Sequence, residues 1–224
     1  PGNAGGGGAT MMAKKKKKSK SSAGASASPA QEQRRARAAE RSLRPRPSAT
    51  ARASTQSMWN LVLSGQDDAA GIGALLEAGA DVSRRDSEGY TVLHEACRGG
   101  MTGVAKVLLE HGADAEAVGG GGAARPLHLA AMGDHASTVE LLLAAGVAVD
   151  RPDEGAAGAT ALMYAANTGA LGSIDVLLRS GASVGASSRD GRSVLHYASF
   201  CADAAVAEAL VAAGASALPT AEAW

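Results

Sequence analysis

Hydrophobic positions recur along residues 55–216 in a fixed order. A Leu-Leu-x-x-Gly phrase, with Val as its second residue in the last copy, closes each period, and its glycines lie 33, 34, 35 and 33 residues apart. They are Gly79, Gly112, Gly146, Gly181 and Gly214. A second phrase keeps the same spacing, over residues 91–96, 125–130, 160–165 and 193–198. Two phrases locked at one spacing indicate an internal repeat, whose units are stable only when stacked.

Each period predicts two short helices joined by a turn. Thr91, Thr160 and Ser193 are typical N-cap residues for the first helix. Apolar side chains then follow at helical spacing until a glycine-centred break, at Gly99-Gly100, Gly133 and Gly169. The glycine that closes the period is typical of the left-handed position after a second helix. Neither helix exceeds about ten residues, so we expect stability to come from packing between units.

Residues 91–114 and 125–147 closely follow the phrase T-P-L-H-x-A-A-x-x-G-H-x-x-V-x-x-L-L-L-x-x-G-A-D, and in this they resemble the ankyrin repeat family. The resemblance covers four good copies over 91–216 and a degenerate first copy. It implies an all-α solenoid of stacked helix-turn-helix units with hairpin-like loops. The expected repeats are 55–86, 87–119, 120–153, 154–187 and 188–216, followed by a C-terminal extension over 217–224.

The charge of the chain divides at about residue 54. The net charge of the whole chain is zero. Residues 1–54 hold thirteen bases and two acids, a net charge of +11, and the remainder holds nine bases and twenty acids, a net charge of −11. The first segment has almost no apolar residues beyond Ala, so we expect a disordered basic tail. Within it, Met11 or Met12 is the expected natural start.

A lysine block in this tail suggests a targeting role. Such a block can bind the acidic grooves of a nuclear import receptor, or RNA, DNA or anionic lipid through salt-screened contacts. No aromatic residue interrupts it, so any nucleic-acid contact would be non-specific. A merely solvated tail is the alternative. The residues are Lys14, Lys15, Lys16, Lys17, Lys18 and Lys20.

The resemblance implies a partner-binding groove made of hairpin tips and the exposed side of each first helix. Tyr and Arg are enriched at interface hot spots, which favours Tyr90, Arg98 and Arg192. Phe200 is the one phenylalanine of the chain, and either partner binding or local packing explains it. The predicted groove residues are Ser87, Glu88, Tyr90, Arg98, Met132, Asn167, Thr168, Arg189, Asp190, Arg192 and Phe200.

Residues that suggest chemistry have structural explanations. His94, His128 and His196 lie one per repeat, which places them too far apart to share a metal ion. The resemblance implies that these histidines tie adjacent repeats together, and Met163 leaves one seam without this bond. The cysteines, Cys97 and Cys201, have the apolar surroundings of buried thiols. We therefore expect no catalytic residue, metal site or cofactor.

Loop residues are predicted to be solvated or flexible. The pairs Asp67-Asp68 and Asp153-Glu154 fall in loops, where we expect hydrated charge. The run Gly119–Gly122 lacks the Gly-Lys-Ser/Thr of a phosphate-binding loop, which favours a flexible tip. Arg125 there replaces the N-capping Thr, and we expect a weakened seam over residues 119–165.

The sequence as a whole predicts a non-enzymatic adaptor or scaffold that binds another protein. No apolar run is long enough to span a membrane, and no small-molecule substrate is expected. We expect a monomer in the cytoplasm, the nucleus or both. Two alternatives stay open, namely a nuclear nucleic-acid-associated protein that binds through its tail and a regulatory fragment of a larger enzyme.

Overall fold

Within the described residues the chain folds into helices that follow one another in pairs. The computed structural model describes residues 48–121 and 123–216. In these ranges β-pairing is limited to three isolated antiparallel bridges, Arg85 with Thr91, Gly119 with Ala124, and Ser187 with Ser193. The predicted all-α repeat architecture is confirmed. The pairs are α1 (Ala49–Leu63) with α2 (Ala69–Glu77), α3 (Val92–Arg98) with α4 (Thr102–Glu110), α5 (Pro126–Met132) with α6 (Ala136–Ala144), α7 (Ala161–Thr168) with α8 (Leu171–Arg179), and α9 (Val194–Cys201) with α10 (Ala204–Ala212).

The helices pack in two rows. The first helices α3, α5, α7 and α9 pack side by side in one row, and α2, α4, α6 and α8 form the second. Equivalent leucines fill the space between the rows, and adjacent small residues in the first helices let neighbouring backbones approach. These buried residues are Leu93, Leu127, Leu162, Leu108, Leu142 and Leu177, with Ala96, Cys97, Ala130, Ala131, Ala165 and Ala166 as the small ones.

The folded array begins earlier than the boundary predicted after residue 54. Helix α1 starts at Ala49, and the Ser48 hydroxyl caps it by accepting from the Ala51 N–H at 3.1 Å. Its buried side includes Thr55, whose hydroxyl donates to the Ala51 carbonyl and accepts from the Asp81 N–H. Small polar residues whose hydrogen bonds are made internally leave no hydrophobic pattern, so this turn resembles tail in the sequence. The lysine block and the extension over 217–224 lie outside the described residues.

Left-handed backbone ends the helices at the predicted positions. All five glycines that close the periods have φ between 81° and 95°. The turn between the two helices of a repeat also contains a left-handed residue, at Gly100, Asp134, Gly169 and Ala202. In the third repeat this residue is Asp134, directly after the glycine of the predicted break, Gly133. Aspartate tolerates the conformation because its short side chain bonds to local backbone.

Aspartates in these turns cap helices of other repeats. Asp67 accepts from the Gly103 and Val104 N–H groups at 3.0 and 2.7 Å, at the start of α4. Asp134 accepts from the Ser173 N–H at 2.7 Å, at the start of α8. Asp68 caps its own helix through the Gly71 N–H at 2.9 Å. Asp67 and Asp68 are exposed loop residues, as expected, and their carboxylates in addition satisfy free N–H groups at helix starts.

Candidate protein-binding groove

Hairpin tips and first helices form one continuous face, which we call the groove face. It comprises the tips over 85–91, 119–124, 153–160 and 187–193, with Gly122 outside the described residues, and the outward side of α3, α5, α7 and α9. Side chains three residues apart on each helix share this side. The pairs are Glu95 with Arg98, Leu129 with Met132, Tyr164 with Asn167, and Tyr197 with Phe200, and Leu129 among them is buried.

The predicted groove residues differ in how far they are free for a partner. Tyr90 is half-buried, and the other ten predicted residues are exposed. Thr168 donates from its hydroxyl to the Met132 carbonyl of the neighbouring repeat at 2.9 Å, which gives it a structural role. Asp190 accepts from the Ser188 hydroxyl and pairs with Arg192 at 3.1 Å, and the serine bond lowers the pKa of this carboxyl. The face leaves Phe200 64% exposed.

Tyr90 and Arg98, predicted separately, are in direct contact. The Arg98 guanidinium carbon lies 4.6 Å from the centre of the Tyr90 ring, within the range of a cation–π interaction. Glu95 pairs with Arg98 at 3.3 Å. The ring also packs against Gly119 and Gly120, where a Cβ atom would lie 2.8 and 2.1 Å from tyrosine atoms. Gly119 and Gly120 are therefore a packing surface for Tyr90.

A buried carboxylate organises the tip between the third and fourth repeats. Asp153 is 2% exposed and accepts from the N–H groups of Gly155, Gly158 and Ala159 at 2.8, 3.2 and 3.0 Å. The Tyr164 hydroxyl donates to the same carboxylate at 3.2 Å. Burial, and then the charge of Asp153, raises the pKa of Tyr164. The prediction of a hydrated Asp153 is wrong because four donors replace its water.

The same tip borders a small pocket on the groove face. The pocket has a volume of about 150 Å³. Its lining is Asp153, Ala157, Ala159, Tyr164, Asn167 and Tyr197. Two tyrosines, one amide and one carboxylate thus converge where the flanking tip residues are alanines, whose small side chains leave the space open.

Arg125 makes several polar contacts across the seam that the sequence predicted to be weak. The residue is 5% exposed, and its guanidinium donates to the Glu116 carbonyl and pairs with Glu154 at 2.8 Å and Glu116 at 3.4 Å. Its Nε also donates to the Pro152 carbonyl at 3.5 Å. One buried cation therefore joins two neighbouring tips, and Glu154, whose side chain is 59% exposed as expected, is in addition a structural partner.

Histidines link adjacent repeats as the resemblance implied. The Nδ1 atoms of His94 and His128 each accept a backbone N–H at 3.1 Å, from Thr91 and Arg125, which places the proton on Nε2. Nε2 then donates to the next repeat, to the Ala124 carbonyl at 3.3 Å from His94 and to the Ala159 carbonyl at 3.1 Å from His128. Burial lowers the pKa of both imidazoles to about 4, so they are neutral at pH 7.

The fourth repeat lacks this link. Met163 occupies the histidine position and is 1% exposed. The buried hydroxyl of Thr160, whose counterparts Thr91 and Ser193 each lie 2.8 Å from a histidine Nδ1, has no hydrogen-bond partner. The predicted missing bond is confirmed, and it leaves the Thr160 hydroxyl unsatisfied.

Other reactive side chains lie apart from the groove face. Cys97 is fully buried, and burial raises the pKa of its thiol, which disfavours the nucleophilic thiolate. Within 48–121 and 123–216, no group of three or more His, Cys, Asp or Glu side chains is placed to hold a metal ion. None of the helices in those ranges is both long and apolar enough to cross a membrane.

Sequence reasoning missed four residues of this face: Glu95, Asp153, Tyr164 and Tyr197. Glu95, Tyr164 and Tyr197 hold the x position of the T-P-L-H-x-A phrase, and their spacing of three from Arg98, Asn167 and Phe200 could have identified them. Asp153 carried no such signal, because its role depends on a tip that curls around its carboxylate.

Comparisons with known proteins match most of the array. A family model described as ankyrin repeats in three copies matches residues 127–220, and one described as ankyrin repeats in many copies matches residues 75–124. The chain is 47% identical over 66 residues to BCL-6 corepressor-like protein 1 of Homo sapiens, covering 30% of the chain and 4% of that protein. It is 44% identical over 72 residues to palmitoyltransferase Hip14 of Drosophila melanogaster, covering 32% of the chain and 11% of that protein.

A longer match extends over more of the chain at lower identity. The chain is 31% identical over 140 residues to a transient receptor potential cation channel subfamily A member 1 homolog of Caenorhabditis elegans, covering 62% of the chain and 11% of that protein. The chain thus spans a small part of the length of these relatives. Their names describe a corepressor-like protein, a transferase and a channel, so the shared region accompanies different activities.

Proposed function

We propose that this chain, which belongs to the ankyrin repeat family, is a non-enzymatic adaptor that binds another protein through its groove face. Ankyrin repeats support a protein-interaction module as the general role. The finer assignment of an adaptor and of this face rests on the side chains that the repeats leave exposed there.

The carrying observation is the exposure of large side chains at non-repeating positions of the groove face. Phe200 is 64% exposed and Met132 is 36% exposed, on equivalent positions of two first helices. Their counterparts Arg98 and Asn167 are polar, so each repeat offers a different group. Aromatic, Met and Arg side chains are those enriched in interface cores. This pattern supports recognition of a specific protein surface over a uniform packing role.

The groove face is tested by affinity capture with two matched triple variants of the full chain. One variant carries Tyr90→Ala, Arg98→Ala and Phe200→Ala. The control carries Lys106→Ala, Glu140→Ala and Asp175→Ala, three exposed residues of the second helices. We expect the first variant to lose its partners at least about tenfold while the control retains them.

Two measurements make the comparison decisive. Circular dichroism and thermal unfolding establish that both variants keep the helical array. A folded groove variant that captures the same proteins as the unchanged chain, at the same yield, would show that the groove assignment is wrong.

A further inference from the structure

The chain already shows how its groove face holds a cation. In the second repeat the Arg98 guanidinium lies over the Tyr90 ring at 4.6 Å and pairs with Glu95 at 3.3 Å. One aromatic face, one carboxylate and one guanidinium therefore form a set in which the cation comes from the chain itself. A guanidinium is favoured in such a site because it stacks on the ring while it donates to the carboxylate.

The pocket at the fourth repeat contains comparable groups without the cation. Tyr164 and Tyr197 supply two rings, Asp153 a carboxylate and Asn167 an amide, around about 150 Å³ of open space. Asn167 stands where Arg98 stands in the second repeat, one turn after Tyr164. No Lys, Arg or His side chain lines the pocket, so no cation of the described chain occupies it, and Asp153, which is 2% exposed, acts on the pocket through its charge.

The arginines near this pocket have other partners. Arg189 donates from its side chain to the Gly155 carbonyl and packs against Gly158, where a Cβ atom would lie 2.8 Å from its Cγ. Arg192 pairs with Asp190 at 3.1 Å. Arg125 pairs with Glu154 and Glu116. The space between the tyrosines is therefore available to a cation from another molecule.

The charge of Asp153 adds an electrostatic reason. Its carboxylate is held by three N–H groups and the Tyr164 hydroxyl, and among the described residues it forms no ion pair. Hydrogen-bond donors stabilise the negative charge without cancelling it, and low-dielectric walls extend its field into the pocket. Residues 55–224 hold twenty acids and nine bases, and this negative charge also favours a basic partner.

We propose that this pocket, lined by Tyr164, Tyr197, Asn167 and Asp153, binds an arginine side chain of the partner protein. The inference rests on the proposed function, since it names the chemistry by which the groove face recognises its partner. The guanidinium stacks on a tyrosine ring, the Asn167 side-chain oxygen accepts from it, and Asp153 supplies the attracting charge. The partner's guanidinium thus stacks on a tyrosine in this pocket as the Arg98 guanidinium stacks on Tyr90 within the chain.

The test is a nuclear magnetic resonance titration of the isotope-labelled full chain with N-acetylarginine amide. N-acetylcitrulline amide, which has the same shape and no charge, is the control ligand. We expect the arginine probe to shift the Asn167 side-chain amide and the Tyr164 and Tyr197 rings saturably, with a millimolar Kd, and the citrulline probe to bind at least about threefold more weakly.

Two variants locate the site. Tyr197→Leu removes one ring from a half-buried position and is expected to weaken the arginine probe about threefold. Leu171→Ala, an exposed residue of α8 outside the pocket, should leave the probe's Kd unchanged. The amide spectrum of each variant reports whether the array is folded.

The proposal is overturned if the arginine probe causes no saturable shift, if citrulline binds equally well, or if folded Tyr197→Leu binds with the original Kd. Those results would leave the groove face intact as a partner-binding surface, because affinity capture with the triple variants reads that surface independently. Arginine binding combined with failure of the capture experiment would instead support the pocket and remove the proposed adaptor role.

Discussion

Single side chains decide whether a seam between repeats is satisfied. The imidazoles of His94 and His128 each bridge a cap residue to the carbonyl of the next repeat, whereas Met163 offers no nitrogen at the equivalent place. The unpaired hydroxyl of Thr160 is the direct result. A buried polar atom without a partner lowers stability because it has lost its water.

Replacing Met163 with histidine is expected to stabilise the array. The new Nδ1 would accept from the Thr160 N–H and lie beside its hydroxyl, while Nε2 would donate toward the fifth repeat. We expect a gain of about 1 kcal/mol in the free energy of unfolding, measured by urea denaturation. Met163→Leu, which preserves the apolar volume, is the control and should change stability little. A destabilised Met163→His variant would show that packing outweighs the hydrogen bonds.

At the scale of elements, the turn inside the last repeat is strained. Ala202 has a φ of 53°, a conformation that costs a residue with a Cβ about 1 kcal/mol, and glycine stands at the equivalent position of the second and fourth repeats. Ala202→Gly should therefore stabilise α9 and α10 by roughly 0.5 kcal/mol, after the entropic cost of glycine. Ala209→Gly inside α10 should destabilise by about 1 kcal/mol. Equal losses from both substitutions would contradict strain at Ala202.

Also at the scale of elements, the packing of neighbouring hairpin tips depends on Arg125. Arg125→Thr restores the residue usual in the repeat phrase but leaves Glu116 and Glu154 without their buried cation. Because both carboxylates keep some contact with water, we expect a loss of about 2 kcal/mol, less than for a fully buried pair. Arg151→Thr removes an exposed partner of Glu116 and should cost under about 0.5 kcal/mol. Denaturation curves that rank the two variants the other way would contradict the buried role of Arg125.

Parts of the fold and of the groove face could be predicted from the sequence, because the signals for them lie close together along the chain. The helices, the closing glycines and the histidine links follow from two short phrases, one present five times and the other four times. Arg125 and Asp153 were misjudged because their partners lie on other segments, Glu154 across the seam and the backbone of residues 155–159. The groove pocket needed the positions of two repeats together, which spacing alone does not give.

For the molecule as a whole, the two buried histidines couple stability to pH. Their pKa is about 4 in the folded state and near 6.5 in an unfolded chain, so between these values the unfolded chain binds more protons. The free energy of unfolding should fall as pH drops from 6.5 toward 4, by up to about 1.4 kcal/mol per pH unit for each histidine. Urea denaturation at pH 7, 6 and 5 measures this slope. His128→Gln should flatten it, and an unchanged slope would contradict the assignment.

A second prediction for the whole molecule concerns its location in the cell and is based on the basic segment. We propose that Lys14 to Lys18 and Lys20 direct the protein to the nucleus through contacts with an acidic receptor. Residues 11–54, fused to a fluorescent reporter too large to diffuse through nuclear pores, should accumulate there. Replacing the six lysines with glutamine should abolish accumulation, and arginine replacements should preserve it. Equal accumulation of the glutamine variant would leave the block as a solvated segment.

The two-row packing also has a mechanical consequence. Because helices pack mainly on their own pair and the adjacent one, a pulling force passes through the seams in series, and the weakest seam yields first. Each repeat that opens releases 33 to 35 residues, or about 12 nm of extended chain. The seam beside Met163, with its unsatisfied hydroxyl, is the expected point of first extension. The array would then lengthen in defined steps that begin with the release of the fifth repeat.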